Sequence, residues 1–311
     1  MIKNKFFYLI TFIYAISLWS CSSEQMDEVE TIVTFNISLD EHKTHTRAIS
    51  DGTNVDQLVY AVYTTDGTPV ILKSIKNNAG AIHTEEGLEF SISVLNGLEY
   101  KLVCWAQNSR CDAYTVSKDM KVSISYEGIN NDELRDAFFG VSEPFTVNDK
   151  NVCVSLKRPF AQLNAAAHPF EWNYIEDHYK FKITKSSAMI SSVPNVLNLL
   201  DGSVEGSVNV DFKPAAIPGG SLYVDIDENA KDEEYVHVSM SYVLVSDSEE
   251  GTNHNIDFYF YNEEGKAIKF SKFIDLNLEE VNLQRNLQTN IVGHVLATNN
   301  EGELVYVTPT E

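Results

Sequence analysis

Apolar and polar residues alternate along most of the chain with the two-residue period of half-buried β-strands. The first such segment covers residues 31–39, where Val33, Phe35, Ile37 and Leu39 share one face. Similar strand-like segments follow at residues 59–64, 70–75, 88–94, 100–106, 120–126, 145–147, 152–156, 180–184, 207–212, 235–245, 256–261, 267–274 and 304–307. Gly-containing turns separate many of them, so the pattern predicts an all-β fold built from β-sandwiches.

Short turn sequences predict where neighbouring strands pair as hairpins. Asp66-Gly67, Asn96-Gly97 and Glu264-Gly265 each lie between two strand-like segments, and such dipeptides favour tight turns. Helical patterns are few. We predict one turn of helix within residues 131–138 and another within residues 193–200.

Without residues 1–20 about 290 residues remain, enough for one large or two ordinary domains. Residues 31–157 and 158–311 each hold enough strands for one sandwich, with the boundary at Lys157-Arg158-Pro159. The predicted organisation is therefore two β-sandwich domains in tandem, with few short helices.

The N-terminus has the pattern of a lipoprotein signal peptide. Lys3 and Lys5 precede an apolar run, residues 6–19, and Cys21 follows shortly after it. A run of about 14 residues is shorter than the roughly 20 that span a bilayer, so it predicts a cleaved signal peptide over residues 1–20. A cysteine at the cleavage point is typical of bacterial lipoproteins, which carry a diacylglycerol on the thiol and a further chain, such as palmitate, on the amine. An ordinary signal peptide with a chance cysteine is the alternative.

An acidic tether follows the predicted anchor, over residues 21–30. Its carboxylates are those of Glu24, Asp27, Glu28 and Glu30. An acidic run just after the lipid resembles the signal that directs lipoproteins of the Bacteroidetes to the outer face of the outer membrane. The expected location is therefore the cell surface, with membrane contact through the lipid alone.

Charge and cysteine content narrow the possible partners. The chain carries 23 Lys and Arg against 45 Asp and Glu, for a net charge of −22. A polyanion of this size repels nucleic acids and anionic membrane surfaces, although an acidic surface also serves solubility.

Besides Cys21 there are Cys104, Cys111 and Cys153, an odd number that cannot close a disulfide framework. A Cys104–Cys111 bridge and buried unpaired cysteines are both open.

Motifs of catalysis and metal binding are missing or incomplete in the sequence. There is no Gly-x-Ser-x-Gly elbow, phosphate-binding glycine loop or His-Glu-x-x-His motif. His42 and His45 have no nearby third ligand for zinc. Asp225, Asp227 and Asn229 imitate the start of a calcium loop that lacks its turn glycine. We expect no enzyme activity, no cofactor and no metal.

Paired carboxylates for glycoside hydrolysis are the remaining catalytic pattern that the sequence could contain. The candidates for such a pair are Glu171, Glu176 and Asp177. Carboxylates are so frequent in this chain that their proximity in sequence is uninformative.

A long polar loop separates the first strand from the next. Residues 40–52 carry basic cleavage points at Lys43 and Arg47, in the kind of exposed segment that proteases cut. A cut there would free the amphipathic strand 31–39 together with the lipid. The vacated groove would offer unpaired backbone groups and an apolar trough to another strand. An ordinary interstrand loop is the alternative.

Several sequence blocks, by their order and spacing, resemble the fimbrillin-like lipoproteins of Bacteroides and relatives, the subunits and anchors of type V pili. The blocks recur in a subgroup known only as a domain of unknown function. They are CWAQ (104–107), RDAFF (135–139), LKRPFAQLN (156–164), NLLDG (198–202) and LQRNLQTNIVG (283–293).

This resemblance implies two transthyretin-like β-sandwich domains, lipoprotein export and arginine-specific cleavage after the first strand. It maps the cleavage to Arg47, within Thr46-Arg47-Ala48, and the displaced strand to residues 31–39. A partner subunit's strand would then fill the opened groove.

We therefore predict a non-enzymatic surface lipoprotein, a fimbrial subunit or related adhesin that assembles with other subunits by protease-triggered strand exchange. Stalk, tip and anchor roles are not separated, and no receptor is indicated. The alternative is a surface glycan-binding lipoprotein, because such sandwiches are exported by the same route. A planar exposed aromatic cluster with Trp105 or Trp172 would favour the glycan-binding function, whereas burial of both would favour the fimbrial one.

Overall fold

The computed structural model describes residues 30–39, 52–224, 233–269 and 280–296, and these fold almost entirely as β-strands. In chain order the strands are β1 (Glu30–Leu39), β2 (Gln57–Thr64), β3 (Pro69–Asn77), β4 (Leu88–Leu95), β5 (Tyr100–Gln107), β6 (Tyr114–Val116), β7 (Lys121–Ile124), β8 (Phe138–Val141), β9 (Asn151–Leu156), β10 (Phe160–Ala167), β11 (Lys185–Val193), β12 (Val196–Asn198), β13 (Val204–Glu205), β14 (Val208–Asp211), β15 (Ala215–Ala216), β16 (Ser221–Val224), β17 (Glu233–Leu244), β18 (Thr252–His254), β19 (Ile256–Tyr261), β20 (Ala267–Lys269), β21 (Val281–Leu283) and β22 (Gln288–Gly293). The helical elements are α1 (Pro169–Tyr179) and two 3₁₀-helices, Gly80–His83 and Glu133–Arg135.

The N-terminal strands form a β-sandwich of two sheets. One sheet has the order β4-β1-β9 and the other the order β3-β2-β5-β8. Their inner faces share one apolar core, in which Phe35 of β1 and Leu102 of β5 are both fully buried. β1 is the middle strand of its sheet, so the first strand of the fold depends on partners that come much later in the chain.

A second sandwich is built from β10 and the strands that follow it. Its sheets have the orders β16-β17-β10-β22 and β14-β11-β19-β20, with β15 paired to β11. Leu163 and Met240 of the first sheet are buried in the same core as Ile190 and Phe258 of the second. β10 is an inner strand, and all of its residues are buried.

A further sheet joins the two sandwiches. Its order is β13-β12-β7-β6, so β7, from before residue 157, pairs with β12, from after it. Trp105 of β5 packs edge-on against Phe160 of β10, with 6.4 Å between ring centroids. The core of the second sandwich thus extends onto the outer face of the β3-β2-β5-β8 sheet. The division into domains 31–157 and 158–311 stays a prediction.

Two of the three predicted hairpins are confirmed. β2 pairs with β3 across Asp66-Gly67, and β19 pairs with β20 across Glu264-Gly265. The hairpin at Asn96-Gly97 is wrong, because β4 pairs with β1 whereas β5 pairs with β2 and β8. The turn carries the chain from one sheet of the sandwich to the other. Both strands send apolar side chains into the same core from opposite sheets, a long-range arrangement that a local turn signal does not encode.

The predicted helices are confirmed in one case and wrong in the other. The 3₁₀-helix Glu133–Arg135 lies within the predicted residues 131–138. Residues 193–200 instead contain β12, whose backbone pairs with β7 and β13. The predicted strand at residues 180–184 is also wrong, since this segment follows α1 as irregular chain.

The sequence pattern does not predict α1, the single α-helix among the described residues. Pro169 lies in its first turn, and the His168 side chain accepts a hydrogen bond from the Phe170 backbone N–H at 3.1 Å. Phe170 and Tyr174 are 68% and 41% exposed, so the apolar residues of α1 do not form one stripe. Within the described ranges, no helix is long and apolar enough to cross a bilayer.

Candidate functional site

The first strand and the groove that it occupies form the candidate functional site. β1 pairs antiparallel with β4 and parallel with β9. Phe35 lies opposite Phe90 on one side and Val152 on the other. Removing β1 would leave the hydrogen-bonding edges of β4 and β9 facing each other across a vacant space, which we call the β1 groove.

Apolar side chains of β1 fill the floor of the β1 groove. Val33, Phe35 and Ile37 are fully buried, and burial of a side chain of this size stabilises by about 1.5–3 kcal/mol relative to exposure. Leu39 is partly buried and packs against Gly52, where a Cβ would overlap it. The strand is therefore held along its whole inward face, as its alternation predicts.

An aromatic cluster encloses the ring of Phe35. Ring centroids are 5.6 Å apart for the stacked pair with Phe90 and 5.2 Å apart for the edge-to-face pair with Phe145. Tyr60 contacts Phe90 at 5.0 Å and Tyr100 contacts Phe145 at 5.7 Å. We call the four surrounding rings the aromatic box. No local sequence signal indicates the box, because its members come from β2, β4, β5 and the segment between β8 and β9.

The outward face of β1 is polar and hydrogen-bonded. The Asn36 side chain donates to the Glu86 carbonyl at 2.9 Å, and the Thr34 and Ser91 hydroxyls are 3.0 Å apart. Glu30, the last residue of the predicted tether, is the first residue of β1, and its carboxylate accepts a hydrogen bond from a β4 serine at 2.7 Å. These contacts tie the exposed side of β1 to β4 and to the turn before it.

Most of the other predicted site residues lie outside the described part of the chain. They are Cys21, Glu24, Asp27, Glu28 and Arg47, and the metal candidates His42, His45, Asp225, Asp227 and Asn229. Their roles stay predictions. In the part of the chain that is described, no group of three or more histidine, cysteine or acidic side chains could hold a metal ion.

A cavity of about 660 Å³ lies where the two sandwiches meet. We call it the seam cavity. Its lining includes residues from four of the sequence blocks that resemble fimbrillin-like proteins, those at 135–139, 156–164, 198–202 and 283–293. Segments that are far apart in sequence thus converge on one place in the fold.

Two arginines of the seam cavity are engaged in structural contacts. Arg158 donates to both carboxylate oxygens of the buried Asp136, at 2.6 and 2.9 Å. Arg285 donates to the carbonyls of Val245 and Gly202, and burial lowers the pKa of its guanidinium. A bidentate guanidinium–carboxylate pair is geometrically specific. We therefore interpret the seam as the joint that holds the two sandwiches in one arrangement.

The candidate carboxylates of α1 lie in unlike surroundings. Glu171 is buried and accepts a hydrogen bond from the Leu296 backbone N–H at 3.2 Å. Burial raises the pKa of Glu171 to about 7. Glu176 is half-buried, and Asp177 is exposed. The contacts of Glu171 give it a structural role, in which it holds the segment after β22 against α1.

The tryptophans give no support to a sugar-stacking surface built around Trp105. Trp105 is fully buried, and its indole N–H donates to the Gln107 side chain at 2.7 Å. Trp172 is half-buried and packs against the main core. Trp105 is therefore unavailable for a planar exposed cluster.

The cysteines of the described residues are unpaired. Cys104 and Cys111 are buried without a bridge between them, and Cys153 is exposed on β9. Of the two alternatives that the sequence left open for Cys104 and Cys111, buried unpaired cysteines are confirmed.

The model of a family of unknown function (DUF6562) matches residues 23–308. The chain belongs to the DUF6562 family. No curated protein matches this DUF6562 chain.

Solved structures similar to the DUF6562 chain have low sequence identity to it. The fimbrial anchor protein Mfa2 from Porphyromonas gingivalis is 13% identical, over 85% of this chain and 91% of that chain, with a TM-score of 0.45. A candidate adhesin from Bacteroides thetaiotaomicron is 11% identical, over 89% and 94% of the two chains, with a TM-score of 0.48. A candidate polysaccharide-binding protein from the same species is 14% identical, over 86% and 92%, with a TM-score of 0.44.

Proposed function

We propose that this DUF6562 protein is a lipid-anchored fimbrial subunit or related adhesin of the cell surface, and that it joins other subunits by exchange of β1. The observation that carries the proposal is the position of β1, an inner strand whose apolar face is buried in the sandwich core. The segment that follows β1 is polar and contains Lys43 and Arg47. A strand with this much buried surface next to a cleavable segment has the parts that strand exchange needs.

Before cleavage, β1 fills its own groove. It belongs to the same chain as β4 and β9, so its effective concentration at the groove is high and a second strand competes poorly. The uncut subunit therefore stays monomeric. The lipid on Cys21 holds it at the outer membrane.

Cleavage after Arg47 changes this competition. β1 is then retained only by its side-chain burial and its ladder of backbone hydrogen bonds. A strand from another part of a neighbouring subunit can then pair with β4 and β9 in the vacated groove, so exchange costs little free energy once β1 is free to leave. Loss of β1 also removes the lipid, which lets a growing fibre extend away from the membrane.

Mass spectrometry of the N-terminal peptide of protein sheared from cells tests this proposal. We expect chains that begin at Ala48, because an arginine-specific protease cuts after Arg47. Arg47→Ala should keep Cys21 at its N-terminus and should be missing from the ladders that resist sodium dodecyl sulfate. Lys43→Ala is the matched control and should be cut and assembled normally.

The contrary outcome is equally specific. If a strain that displays fibres yields only chains that begin at Cys21, the subunit keeps its lipid and its first strand. It would then be an anchor or a stand-alone adhesin, and strand exchange into the β1 groove would be wrong.

A further inference from the structure

The seam cavity has the size and position of a ligand site. Its volume of about 660 Å³ lies within the range of about 300–1,000 Å³ that is usual for small-molecule sites, which occur preferentially where domains meet. None of the described residues that line it belongs to β1. The cavity is therefore a surface separate from the β1 groove.

One buried side chain of the cavity wall lacks a hydrogen-bond acceptor. The Arg285 side chain is 7% exposed, and its Nε and Nη2 atoms donate to backbone carbonyls. Its Nη1 atom has no hydrogen-bond partner within the described part of the chain. The Oδ2 atom of Asp247 is 3.8 Å from Nη1, which is too long for a hydrogen bond. Because a buried donor without an acceptor is costly, a ligand that supplies the acceptor is favoured here.

The surroundings of Nη1 suit a hydroxyl group. Nη1 lies beside Gly202, where a Cβ would come within 3.3 Å of it. Asp247 is 83% exposed, so its carboxylate can turn at little cost. A hydroxyl oxygen between the two groups accepts from the guanidinium and donates to the carboxylate, because a hydroxyl is both donor and acceptor. An anionic oxygen would be repelled by Asp247, and an ammonium group by Arg285.

The charged side chains of the cavity wall balance each other. The charge of Arg158 is matched by the buried carboxylate of Asp136. The other charged residues of the lining are Lys101, Lys157 and Arg285, which are cationic, and Glu143, Asp201 and Asp247, which are acidic. The chain as a whole has a net charge of −22, so the balance is a property of this place. Such a wall attracts neither anions nor cations over a distance, but it offers donors and acceptors side by side.

Apolar side chains lie next to these polar groups. Leu200 and Leu287 line the cavity and are 43% and 48% exposed. The ring of Phe139 also lines it, with the Arg285 guanidinium carbon 5.6 Å from the ring centroid. A pyranose ring carries hydroxyl groups around its rim and C–H groups on its faces. A saccharide would therefore contact both the polar and the apolar parts of the wall.

We infer that the seam cavity binds a neutral saccharide, one of whose hydroxyl groups bridges Arg285 Nη1 and the Asp247 carboxylate. Binding uses hydrogen bonds and aliphatic side chains, so it does not require an exposed tryptophan. The inference goes beyond the proposed fimbrial function, because it gives the protein a ligand of its own at the cell surface. It does not depend on the exchange of β1.

A glycan array tests the class of ligand. The mature chain, from Cys21 onward, is solubilised in a detergent without a sugar head group and applied to an array of neutral, sialylated, sulfated and amino-sugar oligosaccharides. We expect binding to neutral oligosaccharides. The neutral oligosaccharide with the strongest signal is then titrated into the protein by isothermal titration calorimetry.

Substitution of Asp247 tests the location of the site. Asp247→Ala removes the acceptor for the ligand hydroxyl and should weaken binding by about tenfold or more. Because Asp247 is largely exposed, the variant should stay folded, whereas Arg285→Ala would also loosen the seam. Urea unfolding checks this. Asp177→Ala, which removes an exposed carboxylate of α1, is the matched control and should bind like the parent protein.

The apolar part of the wall is tested in the same titration. Leu287→Ala should weaken binding by about 3- to 10-fold, because it removes apolar surface that the ligand covers. Leu72→Ala, which changes a 55% exposed leucine of β3, is the matched control and should leave the affinity unchanged.

The outcomes are distinct from those for the fimbrial proposal. Neutral binding that Asp247→Ala and Leu287→Ala both weaken would support the site. A preference for sialylated, sulfated or amino-sugar oligosaccharides would overturn the class of ligand. Neutral binding that neither variant changes would place the ligand elsewhere, and an array without any binding would overturn the inference as a whole. Each of these results leaves the exchange of β1 untouched, because that proposal is tested at Arg47 on protein sheared from cells.

Discussion

Cys21 is the residue on which the predicted membrane anchor depends, because its thiol forms the thioether to the lipid. Cys21→Ala should abolish lipid attachment and leave the sandwiches folded. Metabolic labelling with a clickable fatty acid checks this. Cys153→Ala, which changes an exposed cysteine of β9, is the control and should keep its label. A labelled Cys21→Ala protein would contradict the lipoprotein prediction.

Glu171 should make the folded protein less stable as the pH rises. Burial raises the pKa of this carboxyl group from 4.5 to about 7. As the pH rises, the carboxyl group of Glu171 therefore loses its proton in the unfolded chain before it does so in the folded protein. The contribution of Glu171 to the free energy of unfolding is present below about pH 4.5 and is lost as the pH rises through 7. Glu171→Gln keeps an acceptor for the Leu296 N–H without a charge. It should raise the free energy of unfolding by about 1–3 kcal/mol at pH 8 and leave it nearly unchanged at pH 4.5.

His237 gives the control for this measurement, because its effect has the opposite sign. Burial lowers the pKa of His237 to about 4, so its contribution to stability is present above about pH 6.5 and is lost as the pH falls through 4. Urea unfolding of Glu171→Gln between pH 4 and pH 8 should therefore show stability rising with pH, whereas the parent protein should show a flatter profile. Parallel profiles for the two proteins would contradict the raised pKa of Glu171.

At the scale of single elements, the sequence predicts strands better than their partners. Strict alternation over residues 31–39 predicts β1, which extends over Glu30–Leu39, because a period of two residues is a local property. Its neighbours β4 and β9 are set by packing across the sandwich, and nothing near β1 in sequence encodes that choice. The aromatic box is beyond local prediction for the same reason, since Phe145 meets Phe35 and Tyr60 meets Phe90 only after both sheets have formed.

The sequence pattern gives the wrong structure for short elements whose local preference is overridden by tertiary contacts. Residues 193–200 contain three leucines, which are good helix formers, but pairing with β7 makes β12 a strand. In α1, by contrast, a helix forms where the sequence pattern predicts none, because the exposed aromatic residues Phe170 and Tyr174 obscure its helical period. The burial of Ile175 and Glu171 beside the segment after β22 stabilises α1 through contacts that the local pattern does not contain.

At the scale of the whole molecule, the two sandwiches are joined through three sets of contacts. The β7–β12 pairing crosses from residues 121–124 to residues 196–198. Trp105 packs against Phe160, and Arg158 pairs with Asp136. We therefore propose that residues 31–157 and 158–311 are two sandwich domains that share a sheet and are held in a fixed arrangement.

Limited proteolysis tests this arrangement. Lys157 is exposed at the predicted boundary between residues 31–157 and 158–311, and a cut after it should leave two folded pieces. The pieces should elute together in native buffer, because β7 pairs with β12 across the cut. Size-exclusion chromatography in increasing urea measures the concentration at which they separate.

Substitution of Arg158 shows whether its pairing with Asp136 contributes to the association of the two pieces. Arg158→Ala removes both hydrogen bonds to the buried Asp136 carboxylate, so the pieces should separate at a lower urea concentration. Lys266→Ala is the control, because its contact with Glu264 is exposed and contributes little. Pieces that separate without urea, each with its own cooperative unfolding, would mean that the sandwiches are independent and that the shared sheet does not hold them together.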